Sequence, residues 1–167
     1  MTAKPDAGTD KTVVCAILPG GTATMSATGS GTWTAQSGNP GTATITTPTS
    51  PTTTITTFSI AGTYNFIWTK GSCTDTASIV VTAKPNAGTD KTVVCAILPG
   101  GTATMSATGS GTWTAQTGNP GTATITTPTS PTTTITNFII AGTYPFIWPL
   151  GSCTDTARIV VRPQPNT

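Results

Sequence analysis

Histidine and glutamate are absent from this chain, and only 7% of its 167 residues carry charge. The side-chain carboxylates reduce to Asp6, Asp10, Asp75, Asp90 and Asp155, with two tyrosines and a few lysines beside them. General acid–base catalysis would have to be built from that short supply, and none of these residues sits in a nucleophile motif. No catalytic role is therefore expected. Basic runs are also missing: a net charge of +2 spread over the chain is no nucleic-acid footprint. No apolar run approaches the roughly 18 residues of a membrane span, so direct membrane insertion is not expected. The opening MTAKPDAG has neither the basic nor the apolar region of a signal peptide. There is no Asn-x-Ser/Thr sequon.

What fills the space is threonine, 44 residues of it, with 18 Gly and 14 Pro. Threonine, valine and isoleucine are stiff at χ1 and suit a pleated surface. The apolar residues are patterned, so the composition reads as ordered β-structure rather than a mucin-like coil. The chain also repeats. Lys4–Val81 matches Lys84–Val161 at a period of 80 without a gap, differing at positions 6, 37, 57, 59, 65, 69, 70 and 78 of the first copy. Each copy reads as one domain, residues 4–83 and 84–163, with almost no linker. Residues 1–3 and 164–167 read as remnants of neighbouring repeats: Thr2-Ala3-Lys4-Pro5 matches Thr82-Ala83-Lys84-Pro85, and Pro165-Asn166 falls where Pro85-Asn86 falls.

Within a copy, seven short strands separated by Gly and Pro turns are predicted, the pattern of a β-sandwich. The most regular is the strand in Ala61–Cys73, AGTYNFIWTKGSC. Tyr64, Phe66 and Trp68 alternate onto one face, predicted inward, and Asn65 and Thr69 onto the other. Ala23, Met25 and Ala27, then Trp33 with Ala35, then Ala43 with Ile45, are further predicted core positions. Ile55 and Phe58 are three apart, which puts one out of phase unless a bulge intervenes. The second copy replaces Asn65 and Thr69 by Pro145 and Pro149, both on the outward face. Pro145 is awkward there, because proline cannot donate to a sheet ladder.

The four cysteines, Cys15, Cys73, Cys95 and Cys153, allow three pairings. With no CxxC and no histidine, zinc is poorly served. A disulfide within each repeat, Cys15–Cys73 and Cys95–Cys153, is expected because each domain should close by itself. A loop that long is worth about 4 kcal/mol in a chain-entropy estimate. Such pairs would tie each domain's first strand to its last and imply an oxidising, extracellular setting.

The motifs AGTD (Ala7–Asp10), GTWT (Gly31–Thr34), SPTTT (Ser50–Thr54) and AGTY (Ala61–Tyr64), with the two cysteines, recur in both copies. With them the chain resembles the PKD-like, immunoglobulin-like repeats of very large Bacteroidota surface adhesins exported by the type IX system, gliding-motility adhesins of the SprB type among them. The resemblance covers essentially the whole chain, although the WDxG-like element of other PKD domains is missing. It implies two tandem seven-stranded, immunoglobulin-like (PKD-like) all-β sandwiches, extracellular and at the cell surface. It also implies a non-enzymatic role as stalk modules whose partners are neighbouring repeats. The alternative is that the repeats themselves bind a surface polysaccharide, for which Trp33 and Trp68 could form a stacking platform if they were not core. No cofactor is expected; Asp6, Asp10 and Asp75 are the only candidates for a calcium site, and Asp6 is Asn86 in the second copy. Thr76 and Thr156, in Asp-Thr-Ala, match the short O-glycosylation pattern of the same bacteria.

Overall fold

The structure, a computed structural model, describes residues 4–164, with the backbone alone for 94–96. Apart from Gln164, the expected remnants at the two termini lie outside the described residues. The chain divides into two compact units, Met1–Lys84 and Pro85–Thr167. Among the described residues every regular element is a strand.

The first unit contains β1 (Lys11–Ala16), β2 (Gly20–Thr24), β3 (Thr32–Ala35), β4 (Thr44–Ile45), β5 (Thr54–Phe58), β6 (Gly62–Lys70) and β7 (Cys73–Ala83). A four-stranded sheet in the order β1-β7-β6-β3 faces a three-stranded sheet in the order β2-β5-β4. The pairings are antiparallel except one: β1 runs parallel to β7. Before β1 the chain touches the other sheet through an isolated bridge from Asp6 to Thr28, so the first segment spans both sheets. The second unit repeats the plan with β8 (Lys91–Ala96), β9 (Gly100–Thr104), β10 (Thr114–Ala115), β11 (Thr124–Ile125), β12 (Thr134–Phe138), β13 (Gly142–Leu150) and β14 (Cys153–Pro163). Its sheets are ordered β10-β13-β14-β8 and β11-β12-β9.

The alternation on β6 places its residues as expected. Tyr64, Phe66 and Trp68 are fully buried, as are Tyr144, Phe146 and Trp148. Trp33 on β3 packs on Trp68 across the ladder, ring centroids 5.1 Å apart, and Phe58 meets Tyr64 edge-on at 5.0 Å. Aromatic pairs of this kind add about 0.5–1.5 kcal/mol beyond the area they bury. The Tyr64 hydroxyl donates back to the Ile60 carbonyl at 2.9 Å, and Tyr144 does the same to Ile140. A tyrosine at the start of this strand, bonded a few residues upstream, is the tyrosine corner of immunoglobulin-like sandwiches.

Two expectations about the core change. Ala35 is exposed, not inward. It lies on the edge strand β3 beside an open hollow lined by Gln36, Gly38 and Asn39. Ile55 and Phe58 are both buried, and no residue is inserted, since Thr22↔Thr56 and Gly20↔Phe58 keep one register. Instead Thr57 takes a left-handed φ of 52° opposite Gly21 at 85°, which turns Phe58 back into the core. Position 57 is asparagine in the second copy, at φ 56°, a residue that tolerates this region.

The proline problem on β13 resolves in the first copy. There the Asn65 N–H does not enter the ladder; it donates to the side-chain Oδ1 of Asn39 at 2.8 Å. The partner strand β3 reaches only as far as Ala35↔Phe66. Pro145 therefore forfeits one bond to a side chain, and the sheet continues: it pairs with Arg158 in register. The loss is visible, because Asn119 Oδ1 is left buried without a partner. Pro149 has a similar local effect. Thr32↔Thr69 closes the β3–β6 ladder in the first copy, whereas β10 begins only at Thr114.

Asn39→Ala should therefore destabilise the first repeat by about 1–2 kcal/mol, the value of the bonds it removes. Asn119→Ala should cost the second repeat clearly less. Peptide-resolved hydrogen exchange on the two-repeat chain measures both, and equal losses would contradict the assignment.

Candidate functional site

The residues that carry chemistry gather on β1, β7 and the segment before β1, and they divide between two ends of each repeat. At the leading pole, where the chain comes in, the Asp75 carboxylate accepts the Ala7 N–H at 2.8 Å and pairs with Lys4 at 3.3 Å. The Ala7 N–H, then Lys4, hold the Asp75 carboxyl below its usual 3.8, with desolvation pulling the other way. Asp6 Oδ1 accepts the N–H of Gly8, two residues on, at 2.8 Å. Asn86 Oδ1 takes the Gly88 N–H in the same way. Such a turn needs only a carbonyl-type oxygen, which explains the Asp-to-Asn exchange. Asp10 accepts the Ser78 N–H at 2.8 Å, and Asp90 accepts the Arg158 N–H.

These aspartates stitch the incoming segment to β7 and β14. They do not converge: Asp75 and Ser78, which anchor two of them, stand three residues apart along β7, roughly 10 Å. Among the described residues no group of three metal-ligating side chains forms.

The SPTTT stretch is structural too. Thr53 is buried and its hydroxyl accepts the Thr47 N–H at 2.9 Å, while Thr46 bonds Thr54 at 2.8 Å. Threonine hydroxyls thus tie the loop between β4 and β5 to itself. Trp33 and Trp68 are 1% and 0% exposed, so no stacking platform is available from them. Thr76 is exposed on β7, and Thr156 on β14 is half-buried.

Cys15 and Cys73 do not pair with each other. In the parallel ladder Val13 aligns with Val81 and Ala16 with Ala83. Cys15 therefore lies level with the last residues of β7, at the trailing pole. Cys73 begins β7 and pairs with Lys70 across the hairpin, at the leading pole. Along a strand that separation is about 30 Å, while a disulfide needs Cα atoms within about 7 Å. The expected Cys15–Cys73 bridge is thereby overturned: Cys15 is disulfide-bonded and Cys73 carries a free thiol. The second repeat has the same register, Val161↔Val93 and Pro163↔Ala96, so positions 95 and 153 also stand at opposite poles. Cys153 is buried and disulfide-bonded; the Cys95 side chain lies outside the described residues. Sequence spacing could not have shown this, because it turns on the direction of β1 relative to β7.

No family model and no curated protein matches the chain. Among solved structures it is similar to the insect immune protein hemolin, at 12% identity and a TM-score of 0.52, covering 93% of this chain and 45% of that one. It is also similar to the titin I-band fragment I67–I69, at 14% identity and a TM-score of 0.47, covering 96% of this chain and 66% of the fragment. Extracellular domains 3–5 of Drosophila OTK follow at 13% identity, a TM-score of 0.40 and coverage of 95% and 60%. The chain thus spans less than two thirds of each of these. The fold is that of an immunoglobulin-like sandwich, and the chain is a tandem pair of such domains.

Asp75 gives a pH signature. Its folded pKa lies below the unfolded one, so its contribution is complete above about pH 3.8 and is lost as pH falls through the folded value. The Ala7 amide resonance should titrate with a midpoint below 3.8, and Asp75→Asn should abolish that titration. A midpoint at or above 3.8 would contradict the clip.

Proposed function

We propose that the two repeats are spacer modules of an extracellular stalk. In this reading they belong to a long surface adhesin of the Bacteroidota type that their motifs resemble, gliding-motility adhesins included. The observation that carries it is the parallel pairing of β1 with β7, the strands that receive and deliver the chain. Tension applied through the two ends drags these neighbours past one another along their length. The ladder bonds lie across the direction of pull, so several must fail together rather than one after another. The ladder is prolonged past the strand end, where the Lys84 N–H donates to the Ala16 carbonyl at 2.8 Å. The leading pole is fastened by Asp75, Asp10 and the bridge from Asp6 to Thr28.

Further support comes from the near-identity of the copies, which suits a role in length rather than differentiated recognition. The disulfide-bonded state of Cys15 and Cys153 favours an oxidising compartment. The polysaccharide-binding alternative loses its main support, since the tryptophans that would have stacked on sugar are core residues. Partners are then the neighbouring repeats, and Thr76 on its exposed strand face is the better placed of the two O-glycosylation candidates.

Under reducing conditions, a repeat pulled through its two ends should unfold at a clearly higher force than one pulled through Ala61 and the trailing end, which lie side by side where Gly62 pairs with Val81, a geometry that unzips β6 from β7. Similar forces in the two geometries would remove the mechanical argument. On a glycan array the two-repeat chain should bind nothing, and specific retention would restore the binding-module reading.

A further inference from the structure

We propose that the second repeat, and not the first, carries a docking groove for an extended, uncharged peptide at the open edge of β10. The inference stands within the second unit and holds whether or not the repeats are stalk modules. Two of the eight positions at which the copies differ, 59 and 65, border one hollow. In the first repeat that hollow lies beside Ala35, and the turn that walls it is tied down by four bonds. The Asn39 side-chain Nδ2 donates to the Asn65 carbonyl at 3.1 Å, and the Asn65 N–H donates to Asn39 Oδ1 at 2.8 Å. The Thr42 N–H donates to the Ser59 hydroxyl at 2.8 Å, and the Ser59 N–H to the Thr42 carbonyl at 2.9 Å.

In the second repeat Ile139 stands for Ser59 and Pro145 for Asn65. Proline has no N–H to give, and isoleucine has no hydroxyl to accept. Among the described residues none of the four bonds has a counterpart, and Asn119 Oδ1 is left without a partner. The N–H and carbonyl of Thr122 are released with them. The hollow measures about 520 Å³, against about 330 Å³ in the first repeat. Ile139 and Ile140, 44% and 48% exposed, now form part of its lining.

The edge beside the hollow selects the occupant. The Gln116 N–H donates to the Pro145 carbonyl at 3.1 Å. Bonded and non-bonded residues alternate along an antiparallel ladder, so the N–H and C=O of Ala115, one residue earlier, face the open edge. Ala115 also lines the hollow. A donor and an acceptor on one edge residue match the C=O and N–H of one residue in an added strand. Side chains of that strand alternate, so every second one turns to the same side, where Ile139 and Ile140 offer an apolar seat. None of the side chains lining the hollow is charged, so a charged residue would lose water there without gaining a partner. The match is a strand with apolar residues at alternate positions and neutral ones between. In the first repeat Ala35 occupies the same edge position, but the adjoining turn is bonded to its own repeat and Ser59 stands where the apolar seat would be.

The test is a titration of the isotope-labelled two-repeat chain with the peptide acetyl-Thr-Val-Thr-Val-Thr-amide, followed through the backbone amide resonances. Those of Ala115, Gly118, Thr122 and Ile139 should shift, and those of Ala35, Gly38, Thr42 and Ser59 should stay in place. The double variant Ile139→Ser, Pro145→Asn gives the second repeat the residues with which the first already folds, and should weaken binding about tenfold or more. The reverse exchange, Ser59→Ile with Asn65→Pro, should bring the shifts to Ala35 and Thr42. An absence of shifts, equal shifts in the two repeats, or unchanged binding in the double variant at positions 139 and 145 would overturn the proposal. So would N-acetylglucosamine moving these amides where the peptide does not. Shifts that grow with protein concentration alone would also overturn it, since a second copy of the chain would then be the occupant.

Discussion

The arrangement of each repeat depends on β1 and β7 lying side by side and running the same way. In a sandwich that begins at one end and finishes at the other, this brings the first and last strands together over a short ladder. The chain then leaves at the pole opposite the one where it came in. Near-absence of a linker follows: Val81-Thr82-Ala83 finish β7, and Lys84 still bonds Ala16 of the same repeat. The aspartates act on the same strand pair, each trading its carboxylate for a backbone N–H that would otherwise be unpaired.

The core that holds this frame is small and aromatic. Two tryptophans, a tyrosine and two phenylalanines are shared among β3, β5 and β6, and alanine fills many of the remaining positions. The inter-sheet disulfide of antibody domains has no counterpart. Phe66, two residues after the corner tyrosine, takes the place of its second cysteine and is fully buried. Cysteine is thereby left for the poles. The threonine abundance also finds a partial reason: hydroxyls at Thr46 and Thr53 satisfy loop amides that a longer domain would bury in regular ladders.

Much of this was legible in the residues. Strict alternation on β6 gave the facing of Tyr64, Phe66 and Trp68, because a period of two admits one answer once the aromatic face is inward. The period of 80 marked the two units. Three things were not legible. Alternation carries no information on strand direction, so the poles of Cys15 and Cys73 could not be read, and the Cys15–Cys73 bridge was the wrong expectation. Ala35 is small enough to suit either face, and only the open edge beside Gly38 decides it. The Pro145 conflict arose from treating each strand amide as a ladder donor, when Asn65 spends its amide on Asn39. The tyrosine corner was within reach, since AGTY repeats at the start of the aromatic strand. The Asp contacts were not, because they span 68 residues.

The claim on which the rest depends is that the two cysteines of a repeat stand at opposite poles. With Cys95 and Cys153 replaced by serine, spin labels on Cys15 and Cys73 report that separation by dipolar spectroscopy. The parallel β1–β7 register predicts about 30 Å, the length of β7 between them. A separation below about 15 Å would mean that β1 runs the other way along β7, and would contradict the account.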